Sequence, residues 1–270
     1  MQVVVCAMAK NEHLYINDWA KWYLKLGFDK IYIYDNDDKN VTPITQYLPK
    51  SDKIEVIDIR GQSGEFLQHD IYTNFYNTYK DTFDWCLFVD IDEFLVGIPN
   101  IHRFLEHPRF RVVKQIRIKW RLFGDDDLIE RDMSKPVYEV FKKEVKSTLN
   151  RDLINVGNLE KQGKMMVRGG LPNVIIRSPH FASFYKRENV IPSVLPSGRP
   201  TWSKVVIKEP YRNEIVFINH YMTKSLSEFI KQKLNRNDAV YNTNIKLDYY
   251  WRINAKTPQK IEWLKERGLL

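Results

Sequence analysis

The chain of 270 residues is 43% hydrophobic and 13% aromatic, which excludes an intrinsically disordered protein because so much apolar surface can offset the entropy of ordering. Its 42 Lys and Arg against 34 Asp and Glu give a net charge of +8, which favours an anionic partner such as a nucleotide, a nucleic acid or an acidic membrane surface. A disulfide scaffold would carry more cysteines than Cys6 and Cys86, so we expect two buried thiols. No apolar run approaches the ~20 residues that span a bilayer. We therefore expect a cytoplasmic protein whose contact with a membrane, if any, is peripheral.

The first part of the sequence alternates short apolar runs with segments of helical period, which predicts a mostly parallel sheet covered by helices on both faces. Asn11 is expected to cap the first helix and Gly27 to end it. Ligands of such sheets bind beyond the carboxyl ends of the strands, where Asn11, Asp35 and Asp90 lie. The predicted elements in chain order are a strand at 3–8, a helix at 12–26, strands at 30–34 and 54–59 around a short helix at 42–48, a helix with Leu67, Ile71 and Phe75 on one face, and a strand at 85–90.

After residue 94 the pattern loosens, and the clearest predicted strands are at 112–120, 137–141 and 174–177. The run Ser225-Leu226-Ser227-Glu228 fits a capping box for a helix that ends near Asn235. Thr257 and Pro258 open a final helix. We therefore divide the chain into an α/β half that binds the ligand (1–97), a mixed α/β half of the same domain on the acceptor side (98–222), and a C-terminal helical segment (223–270).

The most informative segment is Trp85-Cys86-Leu87-Phe88-Val89-Asp90-Ile91-Asp92-Glu93-Phe94, because a buried strand runs directly into three carboxylates. In extended backbone, residues two apart point to the same side, so we expect Asp90 and Asp92 to converge. Mg²⁺ and Mn²⁺ prefer oxygen ligands, and one or two carboxylates with substrate phosphates form a common coordination set. The alternative is that the three acids simply end a strand at the surface. The uniformly apolar strand before them and the return to apolar residues after them favour the metal site.

Other candidate site residues follow from this reading. Lys164, Arg168 and Lys224 could supplement a metal in stabilising a phosphate, although a single Lys or Arg is more often a solvated surface residue. His180 and His220 each follow a predicted strand and could give a nitrogen to the metal, although a lone His in such a place is more often a core residue. The loop that begins with Asp35 and Asn36 could bind a base or ribose, or form an ordinary turn.

These residues are similar to motifs of the bacterial glycosyltransferases related to families 2 and 92, which have a GT-A type fold. The resemblance is carried most specifically by the block around Asp90 together with the block around His220. In chain order the matching blocks are Ala9-Lys10-Asn11-Glu12 with Trp19 and Leu26-Gly27, Ile31-Tyr32-Ile33-Tyr34-Asp35-Asn36, Asp90-Ile91-Asp92-Glu93-Phe94, Trp120 with Phe123-Gly124, residues 164–168, His180-Phe181, and Ile218-Asn219-His220-Tyr221 with Lys224-Ser225 and Phe229.

The resemblance implies transfer of a hexose such as galactose from a UDP-sugar to a saccharide or lipid-linked saccharide, with Mn²⁺ or Mg²⁺ and with inversion, in surface polysaccharide or lipopolysaccharide synthesis. It places Asn11, Glu12, Asp35 and Asn36 near the nucleotide, and Asp90 and Asp92 at the metal. Inversion by direct displacement also needs a general base. The candidates for this base are the loop carboxylates Asp126 and Asp127, with Glu65 and Asp70 as further options.

Two other functions compete with this interpretation. A metal-dependent nucleotidyltransferase or phosphoesterase would also use paired carboxylates, but it predicts a Gly-rich phosphate loop or a second acidic cluster, and the sequence contains neither. A basic nucleic-acid-binding protein would explain the charge and the aromatic content. Most aromatics, however, fall at core-facing positions, and the acidic strand end would repel a phosphate backbone, so we expect no nucleic-acid partner.

Overall fold

The structure is a computed structural model that describes residues 1–145, 159, 161–185, 190–202, 204–208, 214–234 and 245–270. Within these residues it is an α/β protein built on one large, mostly parallel sheet and a separate hairpin, which confirms the predicted class. No helix in the described residues has the length and apolar character needed to cross a bilayer. Cys6 and Cys86 are both buried free thiols, as expected.

The strands and helices alternate most regularly in the first hundred residues. The strands are β1 (Val3–Ala9), β2 (Lys30–Asp35), β3 (Ile54–Asp58), β4 (Trp85–Phe88), β5 (Glu93–Val96), β6 (Gln115–Leu122), β7 (Gly163–Arg168), β8 (Val174–Ser178), β9 (Phe181–Phe184), β10 (Ser193–Val194), β11 (Pro200–Thr201) and β12 (Phe217–His220). The α-helices are α1 (Ile16–Lys25), α2 (Leu67–Tyr79), α3 (Ile101–Leu105), α4 (Val137–Val140), α5 (Leu226–Gln232), α6 (Leu247–Trp251) and α7 (Pro258–Lys265), with 3-10 turns at Ile44–Tyr47 and Pro108–Phe110.

The large sheet has the strand order β11-β10-β6-β7-β4-β1-β2-β3. Strands β4, β1, β2 and β3 are parallel, so their carboxyl ends form one edge. β7 enters antiparallel between β4 and β6. β12 pairs with β6 in parallel and with β5 in antiparallel fashion, so the sheet includes strands from both sides of residue 97.

The central strands are buried on both faces, which explains their continuous apolar sequences. In β1, Val3 and Val5 pack in the core cluster that contains Trp19 of α1. Val4 and Cys6 face the other way, into the cluster that contains the aromatic residues of α2. Because side chains alternate along a strand, β1 contributes side chains to both hydrophobic clusters.

Two local predictions were wrong. Asn11 does not cap α1, because its backbone is left-handed (φ 58°) and its N–H donates to the Asp37 carboxylate; the helix begins at Ile16 with Tyr15 as the N-cap residue. The segment predicted as a strand at 137–141 is the short helix α4, which follows Pro136. Apolar alternation over five residues does not separate a strand from one helical turn.

Several other predictions are confirmed with shifted ends. Gly27 ends α1 with a φ of 88°. The capping box is present, since Ser225 accepts from the Glu228 N–H while the Glu228 carboxylate accepts from the Ser225 N–H. α7 begins at Pro258 after Thr257. The predicted helix at 42–48 is a 3-10 turn, and β4 ends at Phe88, two residues before the predicted end.

Candidate active site

A cavity of about 410 Å³ lies at the carboxyl edge of the parallel strands. It forms where chain segments leave β1 and β4 and where β7 begins, and its size is within the usual range for small-molecule sites. Its polar lining residues are Lys10, Glu12, Gln68, Asp90, Asp92, Gln162, Lys164, His180, His220, Lys233 and Tyr249, and its apolar lining residues are Met8, Ile91, Trp120, Leu159, Pro179, Met222 and Ile245.

Asp90 and Asp92 reach this cavity through a turn, which corrects the prediction of an extended strand. The Glu93 N–H donates to the Asp90 carbonyl (3.1 Å), and the Asp90 N–H donates to the Glu93 carboxylate (2.9 Å). The Trp19 indole N–H also donates to the Asp90 carbonyl (3.1 Å). The Tyr221 N–H donates to the Asp92 carbonyl (2.9 Å). Both acids line the same cavity, and a turn rather than an extended strand places them there.

The Asp90 carboxylate is held by two side chains from different elements. Lys164 Nζ lies 2.6 Å from Oδ2, and the Gln68 amide of α2 donates to Oδ1 at 3.0 Å. Burial raises the pKa of Asp90, but the positive charge of Lys164 and its hydrogen bond, with His220 nearby, together hold this pKa below its usual value. The side chain of Asp90 is 36% exposed, so it presents a negative charge to the cavity.

Asp92 lies deeper, with a side chain that is 6% exposed, and two lysines and a histidine lie near it. Lys233 Nζ lies 2.6 Å from its Oδ2, Lys224 Nζ lies 3.9 Å from the same atom, and His220 Nε2 lies 3.4 Å from Oδ1. Burial again opposes ionisation, but the positive charge of Lys233, with the neighbouring His220 and Lys224, holds the pKa of Asp92 well below its usual value. The site thus pairs acids with buried lysines.

Glu93, the third acid of the motif, serves a different purpose. Its side chain is fully buried, and burial raises its pKa well above the usual value despite Lys164 Nζ at 3.4 Å. Its Oε1 has no hydrogen-bond partner among the described residues and lies 3.9 Å from His220 Nδ1. Glu93 therefore stabilises the turn by accepting from the Asp90 N–H, and it does not line the cavity.

Both candidate histidines line the cavity, but they differ in their surroundings. His220 packs against Trp120, with ring centroids 4.5 Å apart, and burial lowers its pKa, so the ring is neutral and can donate a lone pair. His180 Nδ1 lies 2.7 Å from the Gly163 carbonyl, which identifies Nδ1 as the protonated nitrogen. Burial and the charge of Lys164 lower the pKa of His180 to about 3. Of the two, only His220 contacts a predicted metal-binding carboxylate.

The prediction that Arg168 helps to hold a phosphate here is wrong. β7 runs antiparallel to β4, so Lys164 lies near Asp90 while Arg168 pairs with Trp85 at the opposite end of the strand. The Arg168 guanidinium donates to the carbonyls of Val113 and Phe110. Lys164 and Arg168 are four residues apart in an extended strand, so their side chains lie near opposite ends of β7.

The structure also does not bring Asp126 and Asp127 into the cavity. The Asp126 carboxylate accepts from the backbone N–H groups of Lys142 and Lys143, and Asp127 forms an exposed ion pair with Lys143 (2.9 Å). The chain is left-handed at both aspartates, so the loop folds back on itself. Glu65 and Asp70 are also exposed and outside the cavity lining.

Of the four residues expected near the nucleotide, only Glu12 lines the cavity. Asp35 is buried and accepts from the N–H groups of Asp37 and Ile44, which orders the loop after β2. The Asn36 amide donates to the Gln62 carbonyl at 2.9 Å. Asn11 forms a turn in the backbone and does not line the cavity. These three residues shape the edge of the sheet beside the cavity.

Three important lining residues were missed by sequence reasoning: Lys233, Gln68 and Tyr249. Lys233 follows the last residue of α5, and Gln68 is in the first turn of α2. A lone Lys or Gln on a helix is usually solvated, so no local signal distinguishes these two. For Lys233 the helical spacing from buried Phe229 was the available clue.

The donor atoms of the lining are of the kind that a divalent cation prefers. Two carboxylates face one cavity and a neutral imidazole lies beside one of them, which is a hard, oxygen-rich donor set suited to Mn²⁺ or Mg²⁺. No group of three or more His, Cys, Asp or Glu side chains with metal-binding geometry occurs in the part of the chain that the structure describes. A cation held by the two aspartates would need further ligands besides the described side chains.

No protein-family model matches the sequence, and no curated protein matches it. We therefore infer the function from the geometry of the site and from the motifs.

Proposed function

We propose that the protein is a metal-dependent glycosyltransferase of the GT-A type that transfers a hexose from a UDP-sugar to a saccharide acceptor, with inversion, in the synthesis of a surface polysaccharide or lipopolysaccharide. The observation that carries the proposal is that Asp90 and Asp92 line one cavity together with the buried lysines Lys164 and Lys233. Aspartates alone would suit a metal cation, and lysines alone would suit a phosphate anion. A cavity that contains both is suited to a metal ion bound together with a diphosphate.

The lysines are placed to exchange partners when such a ligand binds. Lys164 and Lys233 neutralise the two aspartates at 2.6 Å. A cation at the aspartates would supply that positive charge, and the lysines could then donate to phosphate oxygens. When bound, the metal acts as a Lewis acid for the diphosphate leaving group. Because both lysines are largely buried, little reorganisation is needed as charge develops on the leaving group.

The rest of the lining supports a sugar substrate. Trp120 and Tyr249 provide aromatic surface on which the apolar face of a hexose can pack, and Gln162 offers polar contacts. With Asp126 and Asp127 outside the cavity, Glu12 is the lining carboxylate that is separate from the Asp90–Asp92 pair. We assign the general base that accepts the proton of the acceptor hydroxyl to Glu12.

The proposal is tested by the melting temperature of the protein with UDP, GDP, CDP or ADP, each with and without Mn²⁺. A ligand at 100 times its Kd stabilises the native state by about 2.7 kcal/mol, which corresponds to roughly 5 °C in a chain of this size. We expect this rise with UDP and Mn²⁺ together. The matched variants are Asp92→Asn, which should abolish the rise, and Asp127→Asn, an exposed aspartate outside the cavity, which should keep it.

The comparison uses each variant's own melting temperature without ligand as its baseline. An equal rise in Asp92→Asn, or no rise with any nucleotide, would count against a metal-diphosphate site. Release of UDP from a UDP-hexose in the presence of Mn²⁺, lost in Asp92→Asn and reduced in Glu12→Gln, would then test the transfer itself.

A further inference from the structure

A surface that combines exposed aromatic and basic side chains lies on the side of the sheet covered by α2, and one end of it adjoins the cavity. Two open depressions form it, and both include Ile175 and Arg177 of β8. One depression also includes Tyr185 and Lys204, and the other includes Phe66 at the start of α2. We define the basic aromatic face as four lining residues and two neighbours of the depressions. The lining residues are Phe66, Arg177, Tyr185 and Lys204, and the neighbours are Lys114, over the Phe184 ring, and Trp202, two residues before Lys204.

The aromatic residues of this face are unusually exposed. Phe66 is 42%, Tyr185 is 66% and Trp202 is 71% exposed. Phe66 is held there by a left-handed backbone (φ 62°), a conformation that is uncommon for a bulky side chain. Trp202 lies two residues before Lys204. Single exposed apolar residues are normal, but several around shared depressions indicate an interaction surface.

The charge of the face is positive. Arg177, Lys114 and Lys204 are exposed, and Lys114 lies 5.8 Å from the ring of Phe184. Asp70 is the acidic residue among those that line the two depressions. Trp and Tyr next to Lys and Arg, over an apolar floor that includes Ile175 and Phe181, are suited to the headgroup region of an acidic bilayer.

The same elements that carry this face also line the cavity. Gln68 of α2, which contacts Asp90, is two residues from Phe66. The turn between β8 and β9 contributes Pro179 and His180 to the cavity lining. The end of the face at Phe66 and Arg177 therefore lies next to the candidate active site, while Lys114 lies toward the opposite end of the sheet, where its carbonyl accepts from the Arg168 N–H.

We propose that the basic aromatic face docks the protein on the surface of an acidic phospholipid bilayer. The aromatic rings enter the headgroup region while Arg177, Lys204 and Lys114 contact anionic lipid phosphates. Docking does not depend on the transferase activity proposed above. Its consequence for that activity, which does rest on the proposed function, is that the acceptor saccharide is carried on a lipid in the same bilayer.

The test is sedimentation of the full chain with vesicles of phosphatidylcholine, with or without 30% phosphatidylglycerol, in low and high salt. We expect binding only to the acidic vesicles, and weaker binding in high salt because screening reduces the attraction. Each basic residue near an acidic membrane contributes roughly a fivefold change in partitioning, so Arg177→Gln with Lys204→Gln should lower it about 25-fold. Tyr185→Ser with Trp202→Ser should also lower it.

The matched control is Lys21→Gln with Lys25→Gln, which removes the same charge from exposed positions of α1, on the opposite side of the sheet. This variant should partition within about twofold of the unmodified protein. Equal losses in both charge variants, or no preference for acidic vesicles, would overturn the proposal. Tighter binding to single-stranded DNA than to vesicles, lost in Arg177→Gln with Lys204→Gln, would overturn it in favour of a nucleic-acid surface.

The UDP and Mn²⁺ shift of melting temperature, measured on the same variants, reports separately on the cavity. It should persist in all of them because none of the substituted residues lines the cavity. A protein that binds vesicles without a nucleotide shift would retain the docking proposal and lose the transferase proposal.

Discussion

At the scale of single residues, the carboxylate of Asp92 is held in place by ion pairs. Its carboxylate is almost fully buried, with Lys233 and Lys224 within 3.9 Å and His220 on the other oxygen. Lys233 also donates to the Met222 carbonyl at 2.6 Å. Removing one partner of such a pair leaves the other charge buried without compensation, which costs more than the pair itself contributes.

We predict that Asp92→Asn lowers the free energy of unfolding by about 3 kcal/mol, because Lys233 then keeps a buried charge next to Lys224. Adding Lys233→Met should restore most of this loss, since it removes the uncompensated charge and keeps the side-chain volume. Urea denaturation of both single variants and the double variant measures the coupling. Purely additive losses would mean that the two side chains do not interact.

At the scale of elements, the β6–β7 pair positions two walls of the cavity. Lys164 is the second residue of β7, and Trp120 lies near the end of β6. Between them the two backbones approach closely at Gly163, where a Cβ atom would lie 2.0 Å from the Ile118 carbonyl oxygen. The Gly163 carbonyl also holds His180. Only glycine allows this approach.

We predict that Gly163→Ala destabilises the protein by about 3 kcal/mol, because the added methyl group must push β6 and β7 apart. The displaced Lys164 should also weaken the UDP and Mn²⁺ shift of melting temperature. The control is Gly64→Ala, where no atom lies within 4 Å of the added Cβ and the change should stay within ~0.5 kcal/mol. Calorimetry or urea denaturation measures the stability of both variants. Equal losses of stability would contradict the close approach of β6 and β7 at Gly163.

At the scale of the whole molecule, Asp125, in the loop after β6, anchors the last two helices, α6 and α7. Its buried carboxylate contacts the Tyr250 hydroxyl and Lys260 Nζ, and its N–H donates to the Asn254 side chain at 2.8 Å. Lys260 is fully buried. The same C-terminal segment supplies Lys233 and Tyr249 to the cavity, so its attachment completes the site.

We predict that Lys260→Met lowers the free energy of unfolding by about 3 kcal/mol, because Asp125 loses its buried counter-charge. It should also reduce the nucleotide shift, since Tyr249 is no longer held against the cavity. Lys265→Met, an exposed change in the same helix, is the control and should have little effect on either measurement. Similar losses in both variants would show that the ion pair does not anchor the segment.

Much of the fold could be predicted from local sequence pattern. The apolar runs and helical periods located β1 to β4 with α1 and α2, and the capping box located α5, because these signals come from residues close together in the chain. The same patterns placed Asp90 at the ligand edge of the sheet. That His220, 130 residues from Asp90 in sequence, could lie near Asp90 was suggested by its place after a predicted strand and by the resemblance to glycosyltransferases, whereas a lone His there is more often a core residue.

The sequence by itself therefore determined the α/β class and the place of the acidic motif at the carboxyl edge of the parallel strands. Tertiary structure alone decided that β7 runs antiparallel, which brings Lys164 to the site and takes Arg168 away from it. It also decided that Asp126 and Asp127 turn outward and that Lys233 and Gln68 turn inward. Strand direction and helix docking depend on contacts between residues far apart in the chain, which the local hydrophobic period does not specify.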